Sequence, residues 1–377
     1  MKNLVQKFPG IMSRTLHLLL LALFLATAAC DSTSTAVDTD DDNTPPPSET
    51  EDQVFQIAVL PDTQYYTAQK HGGTVEMFQE QITWIKENQA ANNIKYVAHL
   101  GDLVDHGEQK MVEWERASEI MYQLEAPTSE FPDGIPYGIA VGNHDQEPLG
   151  NPAAGGTEDG YNRYFGKDRF KDREYYGGAY SGSGNAENNN DNHYDLFTAE
   201  GEKFLVMYIE YNEPGHDEYD LEIEADVLDW AQGVLKAHSD HKAIIVSHSI
   251  LARPAGSTSI TTGGEGDNSL QSEFTKQGKR IYDGFKNSPN VFMMLCGHRS
   301  GEGFRKDIHN GNTIKTYLSD YQSRESSGVR NGGGGLMRTM EFNLTENTIT
   351  VRTFSPTSGN VIHESDGDSS FTMPMFE

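Results

Sequence analysis

Apolar residues come along this chain in short continuous runs, and most runs stop at a polar cluster rich in Asp, Asn, His and Gly. VFQIAVL, Val54 to Leu60, has the length and composition of a buried strand and leads directly into PDTQYY. Helical spacing over MFQEQITWIKENQAANN predicts a helix, and KYVAHL predicts a second strand that ends in GDLVDHG. VEWERASEIMYQLE then reads as a helix and IPYGIAV as a strand delivering GNHDQ. Further along, FLVMYIEY precedes an acidic loop from Glu210 to Asp220. The helix DVLDWAQGVLKAH leads into KAIIVSHS, which places His248 at a strand end, and NVFMML closes on CGHRSG with His298. LMRTMEFNLTENTITVRTFS alternates apolar and polar residues around Thr345-Glu346-Asn347, the pattern of a C-terminal hairpin.

Strands alternating with helices argue for an α/β domain over residues 53–377, with no internal repeat. Two loop-rich insertions interrupt it, about 146–194 and 252–269, of a length that suggests functional lids or excursions. GGEGDNS and GGGG read as flexible loops, without the strand-turn-helix context or Lys-Ser/Thr ending of a nucleotide loop.

The first 52 residues follow different rules. Lys2, Lys7 and Arg14 precede the apolar LLLLALFLA and the small residues TAAC at Thr27 to Cys30, which predicts a secretory signal over residues 1–29. TAAC resembles a bacterial lipobox, so Cys30 is expected to carry a lipid that tethers the exported protein to a membrane, facing the periplasm or the exterior. Residues 30–52 contain eight acids, no base and three consecutive prolines, the composition of an extended, solvated tether. The remaining cysteine, Cys296, then has no intrachain partner and reads as a small core residue. Formal charge is −28, and −31 once the three basic residues of the signal are gone, which argues against nucleic-acid binding through basic patches.

The polar clusters at the strand ends carry the candidate chemistry. Singly each has an ordinary explanation: Asp62 could cap a turn, Asn143 could take left-handed geometry, and His144, His248 and His298 could be satisfied histidines. Together they stand where open α/β sheets bind ligands, at the carboxyl ends of successive strands.

The ordered series Asp62-Thr63-Gln64, Gly101-Asp102 to Asp105, Gly142-Asn143-His144-Asp145, His248 and Gly297-His298 resembles the calcineurin-like metallophosphoesterase family over about residues 54 to 300. PDTQYY, YNRYFG, LSDYQ, GGGGLMR and VRTFSP resemble an exported bacterial subgroup of it. The resemblance implies a four-layer α/β/β/α sandwich with two mixed sheets. It also implies two divalent ions (Mn, Fe or Zn) and attack of a metal-bound hydroxide on a small or oligomeric phosphomonoester or diester. Such chemistry suits these residue types, since paired dications hold phosphoryl oxygens and acidify water, while neutral Asn and His ligands leave net positive charge for substrate. That also reconciles an acidic chain with an anionic substrate.

By the resemblance, Asp102 bridges the two ions, and Asn143, His248 and His298 complete the second position. Asp62, Asp102 and Gln64 serve the first. His144 protonates the leaving oxygen or stabilises the transition state, with Asp145 behind it to orient the ring, and Asp105 is a supporting partner rather than a ligand. Arg163, Arg299, Arg324, Arg330, Arg338, Tyr321 and Gln322 are candidate substrate contacts.

The chain departs from the family at two places. Gln64 and Ser300 stand where the family has histidines, so the first position has lost both imidazoles. Three explanations compete. That position is built of oxygens and takes Mn²⁺, Mg²⁺ or Ca²⁺, with Asp320, Gln322, Glu302 or His71 as the missing ligand; or it is weakly occupied; or the scaffold has become a binding module. In the last case the acidic loops GHDEYDLEIEAD and HESDGDSS would bind calcium or an anionic glycan.

Overall fold

A computed structural model describes residues 53–150, 157–182, 187–213, 221–252, 272–326, 329–357, 362–365 and 367–377. The signal segment, Cys30, the tether, the acidic stretch 214–220 and nearly all of the second insertion lie outside these residues.

In chain order the principal strands are β1 (Val54–Leu60), β2 (Ile94–His99), β3 (Tyr137–Ile139), β4 (Tyr176–Ala179), β5 (His193–Ala199), β6 (Glu202–Ile209) and β7 (Lys242–Ser247). They continue with β8 (Val291–Cys296), β9 (Gly301–His309), β10 (Asn312–Asp320), β11 (Met337–Asn343), β12 (Thr348–Ser355), β13 (Ile362–His363) and β14 (Ser370–Pro374). Among the described residues they form two seven-stranded mixed sheets. The first runs β13-β12-β11-β1-β2-β3, with β14 also on β12; the second runs β9-β10-β8-β7-β6-β5-β4.

The sheets lie face to face because their strands are apolar on both sides. Phe55, Ile57 and Val59 of β1 point to the same core as Phe204, Val206, Ile244, Val246 and Met293 of the second sheet. The alternate residues Ala58 and Leu60 face outward onto Phe78, Ile82 and Ile85 of α1 (Val75–Asn88) and Trp114 and Ala117 of α2 (Met111–Met121). On the far side, Leu205, Met207, Ala243 and Ile245 meet Val227, Ala231 and Leu235 of α3 (Leu221–Ala237) and Ile281 and Phe285 of α4 (Lys276–Phe285). Three cores between four layers give the α/β/β/α sandwich. Two-sided burial is why these strands read as continuous apolar runs.

β1, β2 and β3 are parallel, as are β6, β7, β8 and β10. Six of these strands present their carboxyl ends at one rim, and β10 brings a seventh beside β8. The hairpin over residues 337–355 forms with Met337 opposite Phe354 and Asn343 opposite Thr348. It is not an appendage: β11 pairs along β1 in the middle of the first sheet.

Two expectations about loops are corrected. The first insertion is partly core, because Tyr161, Phe165, Phe170 and Tyr175 are buried with Trp114, and the Tyr161 hydroxyl donates to the Ile139 carbonyl at 2.9 Å. Its NNNDN segment is tied in by Asp191, which accepts from Thr157, Asn162 and Asn189. The tract Gly332 to Gly335 is not a loose loop either. All four residues have positive φ, and the turn is held by Gln81, which donates to the carbonyls of Gly335 and Leu336 at 3.0 and 2.9 Å.

Within the insertion, His193 is buried with its ring stacked on Tyr208 at 4.5 Å, and its Nδ1 donates to the Asn190 carbonyl at 2.9 Å. Burial lowers its pKa to about 3. The unfolded chain takes up that proton below about 6.5, whereas the folded chain does not until about pH 3, so stability present above 6.5 is lost as pH falls through this window. The loss attributable to this one ring is on the order of 4 kcal/mol. Denaturant unfolding of wild type and His193→Gln from pH 7 to 3.5 should show the variant losing less stability than wild type. Parallel curves would remove the assignment.

Candidate metal and catalytic site

The rim where the parallel strands end gathers the polar clusters read from the sequence. Asp62 follows β1 and is buried, with both carboxylate oxygens near the His298 backbone N–H, at 3.3 and 3.2 Å. Asp102 follows β2. Its Oδ1 accepts from the His144 backbone N–H at 2.9 Å, its Oδ2 accepts from Gln64 Nε2 at 3.0 Å, and His248 Nε2 lies 3.1 Å from Oδ2. Asn143, His144 and Asp145 form a single 3-10 turn just beyond β3. His248, after β7, uses Nδ1 to donate to the Leu100 carbonyl at 2.9 Å, which turns Nε2 toward Asp102 and Asp62. His298 follows β8, its ring 4.9 Å from that of His248.

The motif glycines are explained by these contacts. A Cβ on Gly142 would sit 2.2 Å from Asp102 Oδ1, and one on Gly297 would sit 2.2 Å from Asp62 Oδ1. Backbone must pass directly against two buried carboxylates, so no side chain fits. Asp102 and His298 are themselves unusual, since both have left-handed backbone, at φ 49° and 70°. Left-handed geometry at non-glycine residues costs about 1 kcal/mol or more each and concentrates at functional sites.

Ligand atoms of Asp102, His248 and His298 all lie within 4.8 Å of one another, a group able to hold a metal ion. Two site oxygens in this rim are buried without a hydrogen-bond partner, Asn143 Oδ1 and Gln64 Oε1. Both offer lone pairs, and a buried orphan of this kind costs about 1–3 kcal/mol. Nitrogen and oxygen lone pairs converging on buried carboxylates are what a divalent cation satisfies, so the residues fit the metal expected from the sequence.

Charge tells the same story. Burial raises the Asp62 carboxyl well above its usual range, and Asp320 raises it further. Burial also raises Asp320, to about 6. Burial opposes a charge on His248, yet Asp102 and Asp62 together raise it to about 10. His298 is lowered by burial and by His248 beside it. Asp102 stays below the usual carboxylate range because, against burial, His248 and His144 hold it charged. Among the described residues no lysine or arginine pairs with Asp62, Asp102 or Asp320.

Several expected roles are corrected. Asp145 does not orient His144: its carboxylate accepts from the backbone N–H of Val104 at 3.1 Å and Gly142 at 2.9 Å, and so clasps the turn. His144 is held by Asp105 instead, whose carbonyl accepts from Nδ1 at 2.8 Å and whose carboxylate lies 3.7 Å away, itself paired with Lys70 at 2.7 Å. Tyr321 is not a substrate contact, because its buried hydroxyl donates to Glu302 at 2.8 Å in a group that also holds Arg338. Gln322 faces Asp62 and Asp320 rather than solvent. Arg299 is exposed and close enough to His298 and Tyr211 to act on them electrostatically. Cys296 is a core residue, its thiol pushed up to about 12 by burial.

The sequence gives no cue to two neighbours. Tyr211, beyond β6, packs its ring 5.2 Å from His298 and 6.0 Å from His248. His99, at the end of β2, is kept neutral by burial, its pKa lowered to about 3. It accepts from the Gly101 N–H at Nδ1, which leaves Nε2–H to donate to Thr63 Oγ1 at 3.0 Å and locks the turn after β1 to the turn after β2.

Comparison with known proteins adds family context. The model of the family described as calcineurin-like phosphoesterase matches residues 55–299. A Bacillus subtilis (strain 168) protein, uncharacterised protein YvnB, is 30% identical over 305 residues, covering 79% of this chain. The match covers 19% of that protein, so this chain spans about a fifth of its relative's length. Among solved structures, a dimetal phosphatase from Danio rerio aligns with TM-score 0.47 and 12% identity, over 86% of this chain and 100% of the other. GAP50, the anchor in the inner membrane complex of Plasmodium, aligns with TM-score 0.46 and 13% identity, over 85% and 88%.

Proposed function

The chain belongs to the calcineurin-like phosphoesterase family, and from that premise we propose that it is a metal-dependent phosphoester hydrolase acting at the rim of β1, β2, β3, β7 and β8. The observation that carries the proposal is the convergence of Asp102, His248 and His298 within 4.8 Å, beside orphaned lone pairs on Asn143 and Gln64. Asp102, Asn143, His248 and His298 would hold one divalent ion, and Asp62, Asp102 and Gln64 would contribute to a second. Bound there, the ions supply positive charge for the phosphoryl oxygens and lower the pKa of water.

The protein's own residues do the rest. His144 carries its proton at Nδ1 against the Asp105 carbonyl, so Nε2 is the nitrogen free to act on substrate. In the imidazolium form, Nε2 gives its proton to the leaving oxygen as the P–O bond breaks, and the nearby Asp105 carboxylate stabilises the cation before transfer. A cavity of about 270 Å³ adjoins His144, bounded by Lys70, His106, Gln109, Glu147 and Leu149, and it suits the leaving group of a small phosphoester. Arg299 stands exposed near His298, where a guanidinium can pair with phosphate.

The test is a matrix of metals and substrates on the full chain. After EDTA treatment, hydrolysis of p-nitrophenyl phosphate and bis-p-nitrophenyl phosphate should be lost, then return with at least one of Mn²⁺, Zn²⁺, Fe²⁺ or Ca²⁺. No turnover under any of these conditions would sink the enzyme reading, and calcium-dependent thermal stabilisation without hydrolysis would favour a binding module.

A further inference from the structure

Gln64 and Ser300 leave the first metal position short of ligands, and four residues are candidates to replace them. Two are ruled out by their surroundings. Glu302 is committed to Arg338, Arg324 and Ser369, and His71 is exposed with its ring against Tyr65. Asp320 and Gln322 are brought to the site.

Asp320 arrives there by strand register. β10 runs parallel to β8 with Leu318 opposite Cys296, and antiparallel to β9 with Asp320 opposite Gly301. It therefore ends beside the residue that follows Ser300, at the same rim. Its carboxylate is fully buried and accepts only from Gln322 among the described hydrogen bonds, at 2.9 Å from the backbone N–H and 3.2 Å from Nε2. Gln322 Nε2 is also 3.5 Å from Asp62 Oδ2, and Gln322 Oε1 accepts from Gln64 Nε2 at 2.6 Å. Gln64 Nε2 in turn reaches Asp102 Oδ2 at 3.0 Å.

Two amide NH₂ groups thus lie among three buried carboxylates, supplying the positive ends of dipoles where a cation would otherwise sit. Gln64 Oε1, on a side chain 2% exposed, has no hydrogen-bond partner at all. Turning the Gln64 amide over directs that oxygen to the place its NH₂ now holds, and the Gln322 amide turns with it, because Gln322 Oε1 lies 2.6 Å from that place. Such a change is a rotation about one terminal torsion, which is soft.

We propose that Asp320 takes the place of the lost imidazoles as a metal ligand, joining Asp62, Asp102 and the Gln64 amide oxygen in an all-oxygen first position, with the Gln322 backbone N–H orienting the Asp320 carboxylate. This rests on the phosphoesterase reading above. A site made of carboxylate and amide oxygens selects Mn²⁺, Mg²⁺ or Ca²⁺, whereas the second position keeps its imidazoles and suits Zn²⁺ or Fe²⁺ as well. One fold would then hold two chemically unlike ions. The strand end next to the altered motif compensates for the alteration.

Mn²⁺ titration of the EDTA-treated full chain, followed by calorimetry and electron paramagnetic resonance, decides the matter. Wild type is expected to bind two equivalents and to show a spin-coupled pair. Asp320→Asn should lose one equivalent or weaken it at least about 10-fold, and show an uncoupled ion, while Asn143→Ala weakens the other equivalent. Two equivalents of unchanged affinity in Asp320→Asn would overturn the proposal. Should that variant fail to fold by circular dichroism, an anomalous-scattering map of Mn²⁺-loaded wild type serves instead: an ion bonded to an Asp320 oxygen supports the ligand role, and one bound by Asp62 and Asp102 without Asp320 refutes it. A wild type that hydrolyses phosphoesters with one ion at the second position sinks this inference alone. One that binds no dication and hydrolyses nothing sinks the phosphoesterase reading with it.

Discussion

Asp102→Asn should lower phosphoester turnover at least about 10³-fold, since metal-borne charge stabilisation is worth several kcal/mol and each 1.36 kcal/mol is tenfold in rate. The reason lies in how many groups meet at this one side chain. Oδ1 accepts from the His144 backbone N–H, Oδ2 accepts from Gln64, and His248 and His298 stand within ligand distance. Asparagine preserves the shape and can keep the bond from the His144 N–H, so the turn that carries His144 should survive. What disappears is the negative charge that would bridge two ions and that now holds His248 protonated to about pH 10. Metal content and kcat/KM should fall together, with secondary structure by circular dichroism unchanged. Activity within tenfold of wild type would show that Asp102 is not the bridging ligand.

His144→Ala should behave differently. Loss of a general acid typically costs about 10²–10⁴-fold, but only where the leaving oxygen needs a proton. An alkyl phosphate should therefore suffer the full loss, whereas p-nitrophenyl phosphate, whose leaving group departs as a stable anion, should lose less than about tenfold. Metal content should be unchanged, because His144 contributes its backbone N–H to Asp102 and not a ligand atom. A loss that is equal for both substrates would remove the proton-donor role and leave His144 as an electrostatic contact. Asp105, which holds Nδ1 through its carbonyl, would then matter only for position.

Much of this protein is legible along the chain because its strands are buried on both faces. A strand such as β1 can then be apolar at every position that matters, and the break into a polar cluster marks its end sharply. The glycines before Asp102, Asn143 and His298 were equally readable, and two of them turn out to be places where a Cβ would overlap a carboxylate. Other features had no such mark. Tyr161 and Phe165 look like residues of a long loop, yet they close over Trp114 as core, because nothing in a local pattern reports what a loop packs against. Asp145 follows His144 and so appears to be its partner. The 3-10 turn sends it the other way, to Val104 and Gly142, and leaves the ring to Asp105, 39 residues earlier.

The polar clusters of the candidate site, their order, and the strand ends on which they stand are properties of the sequence, since each closes an apolar run; the roles expected of them come from the family resemblance. Which carboxylates share a pocket is not such a property. Asp320 comes 258 residues after Asp62, and only the pairing of β10 with β8 and β9 puts them in one pocket. The same holds for the orphaned oxygen of Gln64 and for the absence of any lysine or arginine paired with the three buried aspartates among the described residues. Burial and register are collective outcomes of folding, and they bring the end of β10 beside the residue that follows Ser300.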